Sequence, residues 1–318
     1  MARQRQRRGD PVHGWLNLFK PLDMTSTQAV GVVKRVFNAQ KVGHGGTLDP
    51  LADGVLPIAL GEATKTVAYA MDAAKTYEFT VNWGVSTTSQ DGEGEIVATS
   101  GVRPPADAIT AVLGRFIGEI TQVPPKFSAI KVDGERAYDL AREGEEFALE
   151  GRAVRVDDFR LDSVVDADHA RFTVDCGKGF YIRALVRDLA QALGAEGHVS
   201  QLRRTRVGAM RAGDAISLEK LESVAHKDDL SALLLPVETT LDDIPVLAIG
   251  GEDAFRLRQG REIVLLPHLV EAWRNQRADL APEGDDALRT ALATYGGQAV
   301  ALGEVRAGRF QPVRVFLM

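Results

Sequence analysis

The sequence has one cysteine, Cys176, so an intrachain disulfide is excluded, and a lone thiol points to a reducing compartment. Its histidines, at 13, 44, 169, 198, 226 and 268, are scattered, with no His-Glu-x-x-His run and no cysteine partners; that pattern excludes the usual zinc sites. No stretch approaches the ~20 apolar residues of a membrane helix; the best runs are "SALLLPV" and "VLPIAL". Positive charge is short as well: 38 Lys and Arg against 44 Asp and Glu leave a net charge of -6, which by itself argues against a polyanionic partner. The basic opening "MARQRQRRGD" has no apolar segment behind it, so residues 1–13 read as a disordered basic arm rather than a secretory signal. The expectation is a cytoplasmic globular protein with no metal and no membrane association, whose chemistry rests on side chains.

What is present is 318 residues at 45% hydrophobic content, enough for one large domain and a small one. Charge is also unevenly spread. Lys178, Arg183, Arg187, Arg203, Arg204, Arg206 and Arg211 fall close together, with no acid between Val199 and Ala212, while acids gather in "DGEGE", "REGEEFALEG" and "APEGDD". A basic patch on an acidic body reads either as an RNA footprint or as a solvated charged face.

Periodicity predicts the elements. "GWLNLFKP" is a strand ended by Pro21, and "TSTQAVGVVKRVFN" a helix with a Ser/Thr cap. "GVLPIAL" is a strand and "ATKTVAYAMDAA" a helix. "KTYEFTVNWG" alternates, with Tyr77, Phe79, Val81 and Trp83 on one face, as a half-buried strand does. Ile109, Val112, Leu113 and Phe116 mark another helix. Residues 120–150 mix prolines, basic residues and a short helix, and read as an excursion from the core. Strands resume in "AVRVDDFRLDSVV" and "ARFTVDCG", followed by the helix "YIRALVRDLAQALG", a basic strand or loop at 198–210, and helices near 217–235. With no regular βαβ rhythm, the fold class is α+β, with a mixed, largely antiparallel central sheet flanked by helices. From "LDDIPVLAI" onward, short strands suggest a small β-rich module, 241–318, and the polar stretch 267–292 within it reads as a mobile insertion.

The densest chemistry lies in "VGHGGTLDPLADGVLPIALG", residues 42–61. Glycine amides can cradle phosphate, but the Gly-Lys-Ser/Thr ending and the following helix are missing. A structural turn would account for the glycines through their tolerance of positive φ, but not for His44 and Asp49 together.

This loop is similar to the signature loop of the TruB family, the pseudouridine synthases that modify uridine 55 in the T-loop of tRNA. "GWLNLFKPLDMTS", "AAKTYEFTVNWGVSTTSQDGEGEI", "QVPPKFSAIKVDGERAYDLAREGEE" and "CGKGFYIRALVRDLAQALGAEGHVSQLRRTRVGAM" resemble further motifs of that family, in order, over about 14–240. The resemblance implies a pseudouridine synthase fold, a catalytic domain at 14–240 with an RNA-gripping thumb at 120–150, and no cofactor. It also implies tRNA as the partner, held at the T-arm and, through a C-terminal PUA-like domain, at the acceptor stem by a monomeric enzyme. It makes Asp49 the catalytic carboxylate and Arg183 its partner. Tyr77 would stack on the target base, Tyr181 and Leu202 would line the uracil pocket, and His44 would contact RNA around the flipped nucleotide. Lys20 and Pro21 would brace the loop. The basic cluster, read as an RNA footprint, puts Lys178, Arg203, Arg204 and Arg206 on the RNA backbone. Asp53 reads as a loop brace and Asp91 as a turn residue. Two other readings stand beside this one: a guide-RNA-dependent rRNA pseudouridine synthase, a relative that lacks the thumb, and an RNA-binding or tRNA-folding protein without essential catalysis.

Overall fold

The structure, a computed structural model, describes residues 9–128, 130–132, 134–145, 147–224, 227–280 and 289–318. The first half runs β1 (Gly14–Lys20), α1 (Ser26–Val36), β2 (Val42–His44), β3 (Ala52–Leu60), a 3-10 turn, α2 (Val67–Asp72), β4 (Lys75–Trp83), β5 (Val85–Thr87), β6 (Ile96–Thr99), α3 (Ala106–Leu113) and β7 (Gly118–Gln122). A hairpin, β8 (Lys131–Val132) and β9 (Glu135–Arg136), leads into α4 (Ala137–Arg142), β10 (Arg152–Val164), β11 (His169–Cys176), α5 (Ile182–Ala192), β12 (Gly197–Val207), β13 (Met210–Arg211) and β14 (Ile216–Ser217). After α6 (Leu218–Ser223) and α7 (Lys227–Ser231) come β15 (Val246–Ala248), α8 (Gly251–Arg258), β16 (Ile263–Val264), α9 (Pro267–Leu280), β17 (Thr290–Tyr295), β18 (Gln298–Arg306) and β19 (Arg309–Val315).

The central sheet has the order β14-β1-β3-β12-β4-β11-β10-β7, with β2 on β3 and β13 on β12. Its pairs are antiparallel except β1–β14 and β12–β3, so the mixed, largely antiparallel sheet expected from sequence is the one found. Alternation on β4 buries Lys75, Tyr77, Phe79, Val81 and Trp83 on one face. Phe79 stacks on Phe172 and Phe159 with centroids 5.4 and 6.1 Å apart, and a fully buried Phe of this kind contributes about 1.5–3 kcal/mol. α1 starts at a capping box: Gln28 N–H donates to the Thr25 hydroxyl, and Thr25 N–H to the Gln28 side chain. This fixes the helix start, and with it the placement of Ser26 against the loop after β2.

The second sheet, β15-β17-β18-β19-β16, is small and β-rich. It shares a core with the first: Trp15, Val55 and Ala59 pack in one buried cluster with Leu292, Leu302 and Phe316. Lys65 Nζ donates across the seam to the Val315 carbonyl (2.6 Å).

Several boundaries differ from expectation. The excursion starts after Gln122, because 118–122 pairs with β10 as an edge strand; within it, residues 129, 133 and 146 lie outside the described residues. Residues 9–13 of the expected disordered arm are docked, with Asp10 N–H on the Asn38 carbonyl and Glu62 N–H on His13 Nδ1, while 1–8 lie outside the described residues. The expected mobile insertion is also corrected over its first half. Residues 267–280 form α9, held by the buried indole of Trp273 and by Gln276, which bonds both main-chain groups of Val246. A polar stretch disguised a helix with one buried face; 281–288 lie outside the described residues.

Candidate active site

Asp49 sits in the loop between β2 and β3, and the loop's main chain is held on both sides of it. On one side, Ser26 Oγ accepts from Leu48 N–H (2.9 Å) and donates to the Leu48 carbonyl (3.1 Å). On the other, the Pro50 carbonyl accepts from Asp23 N–H (2.9 Å) and lies 3.4 Å from Lys20 Nζ. Ala52 N–H closes a turn on the Asp49 carbonyl (3.0 Å). Pro50 fixes its own φ and restricts the residue before it. The carboxylate itself stays 39% exposed at the mouth of a narrow cleft.

Arg183 faces it from the first turn of α5, whose flanking residues Ile182, Ala184, Leu185 and Val186 are all buried. Its side chain is 7% exposed and its Nη2 lies 2.9 Å from Asp49 Oδ2. The same Nη2 donates to the Phe127 carbonyl (2.9 Å) and Nη1 to that of Ser89 (3.0 Å), with Asp91 Oδ2 at 3.8 Å from Nε. One guanidinium thus joins the candidate carboxylate, a second buried carboxylate and the base of the excursion. An ion pair at this distance, made from a buried guanidinium held by other partners, fixes the direction of the Asp49 carboxylate.

Tyr77 is on the buried face of β4, 8% exposed. Burial pushes its phenol up, and the Arg204 guanidinium pulls it partly back. Tyr181 caps α5; its main chain is held in both directions by the Gln122 side chain (2.9 and 3.2 Å), and burial also raises its phenol. Leu202 sits opposite Phe79 and Ala52 in β12 and lines the cleft with Asp49, Asp91 and Arg183. His44 ends β2, half-buried; burial and then the charge of Arg204 lower its pKa, so the ring is neutral at pH 7. A neutral imidazole fits stacking better than charge pairing with phosphate. Lys20 is fully buried, its ammonium on the carbonyls of Pro21 (2.7 Å) and Met24 (2.8 Å) as well as Pro50, and burial lowers it to about 8.

The basic residues expected on an RNA backbone divide. Lys178 is exposed and paired with Asp72 (3.1 Å). Arg203 forks onto Asp53 (2.8 and 2.6 Å) and lies over the Phe19 ring, with half its side chain exposed. Arg206 bonds Thr76 Oγ1 and Asp175. Arg204 is a correction: it is 1% exposed, so it offers phosphate nothing. In a strand between two others, successive side chains take opposite faces, and this one points inward to the carbonyls of Val55, Gly46 and Thr47.

Sequence reading passed over Ser26, taken for a cap, and Lys75. Alternation on β4 places Lys75 on the buried face; its ammonium bonds the carbonyls of Met71 and Ala73, and burial lowers it to about 8. It also left Asp91 in a turn, where in fact it is 8% exposed and accepts from the Ser89 hydroxyl and from Glu93 N–H. Among the described residues, no group of three or more His, Cys, Asp or Glu is placed to hold a metal, and no helix is long and apolar enough to cross a membrane.

Comparison with known proteins places these features in a family. Residues 34–182 match the family model "TruB family pseudouridylate synthase (N terminal domain)", and 183–242 match "tRNA pseudouridylate synthase B C-terminal domain". Over 312 residues the chain is 59% identical to tRNA pseudouridine synthase B of Caulobacter vibrioides, covering 98% of each chain. The protein of the same name in Rhodospirillum rubrum is 48% identical over 311 residues, again 98% of each. Among solved structures, a Cbf5-Nop10-Gar1 complex contains a chain 24% identical with a TM-score of 0.68, covering 96% of this chain and 85% of that one. That likeness carries the pseudouridine synthase fold alone.

Proposed function

The chain belongs to the TruB family of tRNA pseudouridine synthases, and on that premise we propose that it isomerises uridine 55 in the T-loop of tRNA, with Asp49 as the acid the reaction depends on. The reaction breaks the N1–C1′ bond, turns the base, and joins C5 to C1′; the C5 proton leaves and N1 gains one. Atoms and electrons balance within the nucleotide, so side chains suffice. A uridine inside a folded T-loop has to be extruded before a carboxylate can reach it. Asp49 can then act at the sugar, at C6 of the base, or on the 2′ proton.

The observation that carries this reading is the state of Asp49: a half-exposed carboxylate in a cleft, 2.9 Å from a buried guanidinium, on a loop whose main chain is bonded at the neighbouring residues. Preorganisation of that kind suits a reagent better than a surface acid. A flipped uracil then packs on Leu202 at the cleft wall, with Tyr77 and Tyr181 as its stacking rings, and neutral His44 fills the space the base leaves. The C-terminal unit, PUA-like in its short strands, then holds the acceptor stem of a tRNA bound by a monomeric, cytoplasmic enzyme. The test is Asp49→Asn, assayed by single-turnover tritium release from C5-labelled uridine in a T-arm RNA, beside filter binding. Release should fall to background with affinity changed less than about threefold. Wild-type release by Asp49→Asn would overturn the assignment, and absence of release from the wild type would favour the RNA-folding reading.

A further inference from the structure

Arg204 poses a physical question. It is among the largest fully buried side chains, with Nε on the carbonyl of Val55 (2.8 Å), Nη1 on that of Thr47 (3.3 Å) and Nη2 on that of Gly46 (3.0 Å), and a further side-chain bond to the Tyr77 phenol. Among the described residues, no ion pair reaches it. Taking a guanidinium out of water without a carboxylate costs stability, and apolar side chains of similar volume are often the more stable choice in such places. Stability alone therefore does not account for it. Its contacts do, because the three carbonyls belong to different pieces: Val55 to the centre of β3, Gly46 and Thr47 to the loop that leads into Asp49. The planar fork spans them at fixed spacing, which a flexible ammonium cannot do. The backbone around it is as constrained: Gly54 at φ +105 brings β3 so close that a Cβ would stand 2.2 Å from the Arg204 carbonyl oxygen.

Ser26 continues the grip by one residue, bonding both main-chain groups of Leu48 while itself 2% exposed. Residues 46, 47 and 48 are thus each bonded by a buried side chain, from β12 for the first two and from α1 for the third. We propose that Arg204 and Ser26 are positioning residues for the pseudouridine synthase reaction, setting the Asp49 carboxylate against Arg183 and Tyr77 through the main chain of 46–48. The proposal rests on the reading of Asp49 as the essential acid. Arg204 serves both sides of the site at once, since it is also the cross-strand partner of Tyr77 in β12–β4.

The experiment compares Arg204→Lys, Ser26→Ala and Asp49→Asn with the wild type. Arg204→Lys keeps the charge and loses the fork; Ser26→Ala removes one oxygen with little change of volume. For each, three quantities are measured: the single-turnover rate at saturating T-arm RNA, the Kd by filter binding, and the thermal midpoint. Misplacing a reagent by about 1 Å costs on the order of 100-fold in rate. The expected losses are therefore about 10- to 100-fold for Arg204→Lys and about 3- to 10-fold for Ser26→Ala, with Kd within about threefold and midpoints well above the assay temperature. A purely structural role would instead lower the folded fraction and leave the rate per folded molecule unchanged, and that result overturns the proposal. So does a wild-type rate in both variants while Asp49→Asn is inactive. If Asp49→Asn turns over like the wild type, the assignment of Asp49 itself is wrong. Should Arg204→Lys fail to fold, Ser26→Ala decides by the same criteria.

Discussion

Replacing Arg183 by lysine puts a number on the ion pair at the centre of the site. The guanidinium reaches Asp49 and the carbonyls of Ser89 and Phe127 at 2.9–3.0 Å, and lies 3.8 Å from Asp91. Lysine keeps the charge between the two carboxylates but cannot hold all of these directions. A reagent misplaced by about 1 Å loses on the order of 100-fold in rate. If the Asp49 contact is needed in the transition state, losing it lowers the rate by roughly 10- to 100-fold, at about 1.4 kcal/mol per tenfold. Buried carbonyls left without a donor cost about 1–3 kcal/mol each; the cleft admits water, so a net loss of about 2 kcal/mol is the reasonable figure, or about 4–8 °C in thermal midpoint. The assay pairs tritium release with thermal denaturation, then completes a double-mutant cycle with Asp49→Asn on stability. Because Asp49 is 39% exposed, the coupling should be near 1 kcal/mol, well below the 3–5 of a fully buried pair. A wild-type rate in Arg183→Lys would refute the catalytic role of the pair, and zero coupling would refute its contribution to stability.

Gly54→Ala should cost about 2–6 kcal/mol, from backbone strain at φ +105 together with a Cβ driven into the Arg204 carbonyl; a thermal midpoint within 2 °C of wild type, on the order of a 1 kcal/mol change, would contradict this. His44 has its pKa lowered from 6.5 by burial and Arg204, so below about pH 6.5 the unfolded chain takes up a proton that the folded one refuses, and stability falls with falling pH. His44→Gln should flatten that slope between about pH 7 and 5 in midpoint-against-pH curves, and an unchanged slope would place the loss elsewhere. Removing residues 245–318 should lower the thermal midpoint of the remainder and impair turnover even on an isolated T-arm, because Trp15, Val55 and Ala59 lose Leu292, Leu302 and Phe316; unimpaired turnover would show that the shared core is dispensable. Cys176 is fully buried, with its thiol pushed up to about 12 by burial, so thiol reagents should label it only on unfolding; rapid labelling of folded protein would show that this part of the sheet opens.

What was legible in the sequence is what repeats locally. Alternation in β4 and the Ser/Thr cap of α1 placed their elements within a residue or two, and separate family-like motifs supplied Asp49, Arg183 and Lys20, which the fold brings together. What was not legible depends on which face of a central strand a side chain takes. "LRRTR" reads as a basic surface run, yet β12 lies between β3 and β4, so Arg203 goes out to Asp53 while Arg204 goes in. Ser26 was hidden for a different reason: in sequence it is a plausible cap, and only the fold brings Leu48 against it. α9 was missed because its apolar content is low: its packing rests on a short stripe, Leu269, Val270 and Trp273, and on a side-chain bridge from Gln276.

The charge pattern also revises how an acidic protein of this kind meets RNA. Each surface cation singled out for phosphate already has a carboxylate partner: Lys178 has Asp72, Arg203 has Asp53 and Arg206 has Asp175. A phosphate that binds such a residue has to displace or share that carboxylate, so the gain in attraction is smaller than for an unpaired cation. The cations of the site lie beneath the surface instead. Arg183, Arg204, Lys20 and Lys75 are all buried; Lys20 and Lys75 hold main-chain carbonyls alone, and Arg204 adds the Tyr77 hydroxyl to its three carbonyls. In a low-dielectric interior their field acts strongly on the groups next to them, which is why Arg204 pulls on both Tyr77 and His44. With Asp49 as the proposed reagent, positive charge placed there steadies it without offering phosphate a competing grip inside the cleft. The carboxylate can then face a polyanion and remain where the reaction needs it.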